Sequence, residues 1–117
     1  RLVRNTVVRS RYGTHFMYSH DNLVEGNQYI DNVVGIFIMY SRNLTLRDNL
    51  LARSSGPGGM GLGIKESGNL TVSDNAFIAN TKGVYMDTAP LEPDDFNTFE
   101  NNAFFHSEVA VLMHSSE

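Results

Sequence analysis

Apolar and polar residues in this chain change places at every second position, in short stretches that end in turn-forming residues. Gly61-Leu-Gly-Ile64 and Gly83-Val-Tyr-Met86 alternate in this way. Asn43-Leu-Thr-Leu-Arg-Asp-Asn49 and Asn69-Leu-Thr-Val-Ser-Asp-Asn75 each read as one strand bounded by Asn and Asp turns. No stretch keeps apolar residues at i, i+3, i+4 and i+7 for three turns, so the pattern predicts no substantial helix.

The alternation is also repeated along the chain. Gly13-Thr-His-Phe-Met-Tyr-Ser19 returns 22 residues later as Gly35-Ile-Phe-Ile-Met-Tyr-Ser41, with Met-Tyr-Ser in register. Copies open at Asn5, Asn27, Asn49, Asn75 and Asn102, in steps of 22, 22, 26 and 27 residues. The two longer steps contain Ser54-Ser-Gly-Pro-Gly-Gly59 and Ala89-Pro-Leu-Glu-Pro-Asp-Asp95, both runs of turn residues. A repeat of this length with insertions confined to corners is the mark of a solenoid. The expected fold is therefore all-β: a right-handed parallel β-helix of about five coils, spaced about 4.8 Å apart, with three short strands per coil. The repeated Asn is expected at a sharp corner, in the left-handed backbone region it tolerates well, with its amides stacked as a ladder. Residues 1–117 read as one segment of this solenoid, opening inside a repeat as a piece of a longer protein would.

Aligning the coils on the glycine sorts the side chains by face. Thr14, Ile36, Leu62, Val84 and Ala110 form one inward column, and Phe16, Ile38, Ile64, Met86 and Leu112 another. The columns between them point outward: His15, Phe37, Gly63, Tyr85 and Val111, then Met17, Met39, Lys65, Asp87 and Met113. Two methionines stacked on a solvent face, with a histidine two residues from the first, are not what solubility alone selects. His15 and Met17 share one side of a strand about 7 Å apart, and Met39 lies over Met17 one coil away. Imidazole and thioether form a soft, neutral donor set that suits copper(I) and suits zinc, calcium or magnesium poorly. The same residues also read as an apolar patch that docks a partner, with Tyr18, Phe37 and Tyr40 beside them. His20 is expected in a turn, His114 follows Met113, and neither His106 nor Met60 has an identifiable partner.

Composition narrows the function. A net charge of −4 provides no basic stripe, so nucleic acid is not an expected partner. No run approaches the roughly 18 apolar residues of a membrane span, so the chain is not expected to span a membrane itself. Arg1-Leu-Val-Arg-Asn5 does not read as a leader peptide, so none is expected within these residues, and without cysteine neither a disulfide nor a thiolate metal site is expected. Parallel β-helices also carry polysaccharide-processing sites built on paired carboxylates. Here Lys65, Glu66 and Asp87, with Asp94 and Asp95 nearby, offer charges, but the carboxylates are not doubled across neighbouring coils. An enzyme is therefore not expected, and carbohydrate binding or processing is the alternative function. A solenoid presents unpaired strand edges, so end-to-end self-association is also expected.

The run Arg11-Tyr-Gly-Thr-His-Phe-Met-Tyr-Ser-His-Asp-Asn22, with Gly35-Ile-Phe-Ile-Met-Tyr-Ser41, resembles the NosD family. Gly61-Leu-Gly-Ile-Lys65 and Gly83-Val-Tyr-Met-Asp87 are similar to its later coils, so the resemblance covers nearly the whole chain. It implies a periplasmic β-helix protein that works with an ABC transporter in maturing the copper sites of nitrous-oxide reductase. It also implies receipt of copper(I) from a lipoprotein chaperone. By that resemblance His15, Met17 and Met39 correspond to the histidine and methionines of the family motif. The family protein is several times longer than this chain.

Overall fold

The computed structural model describes residues 2–56, 58–87, 97–105 and 109–114. Each coil contributes three strands. The first holds β1 (Leu2–Val3), β2 (Thr6–Val8) and β3 (Tyr12–Met17); the second holds β4 (His20–Glu25), β5 (Gln28–Ile30) and β6 (Val34–Met39). Next come β7 (Arg42–Arg47), β8 (Leu50–Ala52) and β9 (Met60–Lys65), then β10 (Gly68–Ser73), β11 (Ala76–Ile78) and β12 (Lys82–Asp87). The last coil holds β13 (Asn97–Glu100), β14 (Ala103–Phe105) and β15 (Val109–His114). Every third strand pairs in parallel, giving three five-stranded sheets that wind as a β-solenoid through four full turns and part of a fifth. No helix occurs among the described residues.

Alternation carries one apolar set from each sheet into the coil. Val24, Leu46 and Val72 stack from the first sheet, and Tyr29, Leu51, Phe77 and Phe104 from the second. Ile36, Leu62 and Val84, with Ile38, Ile64 and Met86, stack from the third. All of these are buried except Phe104, which packs on the cluster with its ring 4.7 Å from that of Phe77. Burial of this set is the main favourable term in the fold.

The corners work differently from the sequence expectation. The asparagines do form the expected ladder: Asn27, Asn49, Asn75 and Asn102 each accept, through Oδ1, the backbone N–H of the Asn one coil earlier at 2.6–3.0 Å. Each Nδ2 also donates to a strand-end carbonyl of the earlier coil, as Asn49 does to Val24 at 3.0 Å. They are not, however, the residues in the left-handed region. That position falls one residue earlier, at Arg4, Gly26, Asp48, Asp74 and Asn101. Its cost is offset by a cross-coil bond: the N–H of Arg4 reaches the Glu25 carbonyl at 2.9 Å, and that of Asp74 reaches Glu100 at 3.0 Å.

Two further corners obey the same rule. Arg9, Asp31, Arg53 and Ala79 precede Ser10, Asn32, Ser54 and Asn80, while Tyr18, Tyr40 and Glu66 precede Ser19, Ser41 and Ser67. Serine oxygens replace amide oxygens in the latter ladder, Ser41 Oγ accepting from Ser19 N–H at 3.1 Å. Ser54, shorter than the Asn on either side of it, leaves its buried Oγ without a partner among the described residues.

The glycine landmark has a separate cause. A Cβ on Gly13, Gly35 or Gly61 would lie within 3 Å of the carbonyl oxygen of the next glycine in the stack. The coils approach too closely there for any side chain.

In the last coil the register differs from expectation by one residue. Val111 pairs with Val84, Leu112 with Tyr85, Met113 with Met86 and His114 with Asp87. Ala110, not Val109, therefore takes the glycine column, as the 27-residue step from Asn75 to Asn102 requires. By register, Val111 and Met113 take the positions beside Val84 and Met86 where Ala110 and Leu112 were expected. The insertion at 89–95, including Asp94 and Asp95, and His106 lie outside the described residues.

Tyr29 gives the fold a pH signature. Its ring is buried, Thr14 Oγ1 bonds its hydroxyl at 3.0 Å, and burial raises the phenol above its ordinary value of 10.0 despite that bond. A raised value means the fold holds the neutral phenol: the contribution is complete below pH 10 and is lost as pH climbs through 10 toward the folded value. The difference in melting temperature between the parent and Tyr29→Phe is therefore expected to stay flat to about pH 9 and to change in the variant's favour above about pH 10. A difference that is flat across the alkaline range would contradict it.

Candidate metal site

The third sheet turns its outer face to solvent along β3, β6 and β9. Met17 and Met39 are register partners on adjacent strands, as are His15 and Phe37. Phe16 and Ile38 between them point inward and are buried. Met17 is 48% exposed, Met39 is half-buried and His15 is exposed. The three expected donors thus share one outer face, across two adjacent coils. Lys65 follows Met39 in the same column and Asp87 follows Lys65, so the thioether pair ends after two coils.

The imidazole of His15 is held by rings. It stacks on Tyr12 at 5.0 Å between centroids and lies against Phe37 at 5.4 Å, while Tyr12 and Phe37 stack on each other at 5.8 Å. Among the described residues neither of its ring nitrogens has a hydrogen-bond partner, so a nitrogen is available as a lone-pair donor. On the other side of the methionines, Tyr18 and Tyr40 occupy successive left-handed corners with rings 5.0 Å apart and nearly parallel. Aromatic stacks therefore flank the thioether pair at both ends of its strands.

Two residues of this face were not legible in the sequence. Tyr12 lies three positions before His15, outside the repeated motif, yet it completes the aromatic cluster. Met60 had no identifiable partner, but its Sδ lies beside the Phe37 ring over Gly63, where a Cβ would come within 2.6 Å of both. A thioether beside a ring is a favourable contact. The absent side chain at position 63, in the column of Phe37, is the one sequence signal for this packing.

The other candidates fall elsewhere. His20 opens β4 instead of lying in a turn, and its Nδ1 accepts the Arg42 backbone N–H at 3.1 Å, which occupies that nitrogen. His114 pairs by backbone with Asp87 at the end of β15. Lys65 and Asp87 are register partners, and Glu66 takes a left-handed corner. Among the described residues no group of three or more His, Asp or Glu converges as a metal site. The candidate donors on this face are one imidazole and two thioethers. Such a set binds soft, low-charge ions and leaves hard cations in water.

The family model described as Periplasmic copper-binding protein (NosD) matches residues 1–117. No curated protein matches the chain, and no solved structure does. The match runs the length of the chain and agrees with the stacked parallel coils, so the chain belongs to the NosD family.

Proposed function

We propose that this chain binds copper(I) as cargo through His15, Met17 and Met39 and passes it on, without catalysing a reaction. In this reading it is a segment of a longer periplasmic solenoid serving assembly of the copper sites of nitrous-oxide reductase. An ABC transporter and a copper chaperone are its partners there. The observation that carries the reading is the Met17–Met39 register pair on the solvent face, with His15 on the same strand face as Met17. The chemistry of the donors supports it: thioether and imidazole favour copper(I) over harder ions, and without a thiolate the ion is held loosely enough to be handed on. The family's description as periplasmic and copper-binding points the same way.

Isothermal titration with copper(I) under reducing conditions tests it. One site is expected, and His15→Ala/Met17→Ala is expected to weaken it by more than the roughly 10–100-fold that loss of an outer-shell partner causes. Both positions are exposed, so circular dichroism of the variant is expected to match the parent. Unchanged copper(I) binding by the double variant would move the site elsewhere. Saturable binding of acidic oligosaccharides without copper(I) binding would replace the reading altogether.

A further inference from the structure

The third coil is four residues longer than the first two, and the surplus lies in the corner between β8 and β9. There Gly59 N–H donates to the Gly56 carbonyl at 2.9 Å, closing a turn that stands Gly58 beside the outer face of the third sheet. Gly58 walls a half-open cavity of about 190 Å³ whose other sides are Tyr12, Val33, Val34, Phe37 and Met60, with Arg11 at the rim. The lining is mostly apolar, yet Val33 is exposed and Phe37 and Met60 are only half-buried. Nothing in the coil core requires this opening.

Its charge is unlike that of the chain. The adjoining corner carries Arg9, Arg11 and Arg53 against one carboxylate, Asp31. Arg53 satisfies Asp31 in a two-pronged pair at 2.6 and 3.1 Å. Arg11, its guanidinium 5.4 Å from the Tyr12 ring centre, has no carboxylate partner among the described residues. No acidic residue precedes Asp21, in a chain whose net charge is −4.

We infer that this cavity is a docking site for a partner polypeptide that inserts one apolar or aromatic side chain and sets carboxylates beside it against Arg11 and Arg9. The volume suits one side chain, while the surplus positive charge extends past the rim to Arg9, where flanking residues of a chain reach and a small ligand confined to the cavity does not. Charge complementarity of this kind sets which partners dock and how fast. Because Tyr12 and Phe37 both line the cavity and stack on His15, the docked chain sits one ring away from a proposed copper ligand. That last step alone rests on the copper reading.

The test uses the metal-free chain, so it stands or falls apart from copper binding. Nuclear magnetic resonance titration is run with acetyl-Asp-Glu-Phe-Glu-Asp-amide and with its Lys-for-acid counterpart. The acidic peptide is expected to saturate, with shifts centred on Arg11, Tyr12, Val33, Phe37 and Met60, and the basic one to leave them unmoved. Arg11→Glu is expected to weaken the acidic peptide by about tenfold or more, and Val33→Trp, which fills the cavity from an exposed position, to abolish binding. Circular dichroism spectra and melting temperatures of both variants that match the parent's would show that they fold. Equal binding of both peptides, shifts centred elsewhere, or tight binding of phenylacetate without binding of the peptide would overturn the inference.

Discussion

Asn49→Ala is expected to lower the stability of the fold by about 1–3 kcal/mol through one stranded donor alone, a sizeable part of the roughly 5–15 kcal/mol that holds a domain together. The side chain of Asn49 makes four bonds. Its Oδ1 accepts from the N–H and Nδ2 of Asn27 at 2.9 and 3.2 Å, and its Nδ2 donates to the Val24 carbonyl and to Asn75 Oδ1 at 3.0 and 2.9 Å. Removing it strands the Asn27 N–H on a fully buried residue, where water cannot replace the lost partner, while the Val24 carbonyl loses one donor and stays in the β4–β7 ladder. Such a donor costs about 1–3 kcal/mol, more than the net worth of a satisfied bond. Urea unfolding measures it: the midpoint is expected to fall steeply in Asn49→Ala and to move little in Thr71→Ala, an exposed position on β10. Equal midpoints would mean that the amide ladder is not a main tie between coils.

The second large effect is expected at the glycine column. In Gly35→Ala the new Cβ would stand 2.6 Å from the Gly61 carbonyl oxygen and 3.1 Å from Leu51 Cδ2. The first contact is with backbone, which cannot turn aside as a side chain can, so β6 and β9 must separate or the coil must deform. Overpacking of this kind costs about 1–3 kcal/mol, and a backbone obstacle places it at or above the upper end. Gly58→Ala meets nothing within 4 Å and is expected to be nearly neutral. Hydrogen exchange separates this from a global effect: amides of β6 and β9 are expected to lose protection before those of β11. Wild-type stability in Gly35→Ala would contradict the close approach of the coils.

Much of the solenoid was legible because each coil repeats the same physical problem. The alternation of Leu44, Leu46, Leu70 and Val72 fixed strands and faces, and the recurrent Gly and Asn fixed the period. The Met17–Met39 pairing followed from that period alone, since both lie in coils with no insertion between them. The last coil was misplaced because its landmark is Ala110 instead of glycine, so the 27-residue step had to be carried by Asn102.

The left-handed positions were hidden for another reason. Arg53, Tyr40, Glu66 and Ala79 have no local preference for that conformation, and cross-coil bonds impose it on them. At the candidate site, residue type and register were readable. The His15–Tyr12 stack and the lean of Met60 over Gly63 depend on side-chain directions that alternation does not encode.

The most direct test of the copper reading is a crystal structure of the protein soaked with silver(I), a diamagnetic stand-in for copper(I), located by its anomalous scattering. One dominant peak is expected on the outer face of β3 and β6, bonded to Sδ of Met17, Sδ of Met39 and a ring nitrogen of His15. A dominant peak elsewhere on the chain, with these three side chains unliganded, would contradict it.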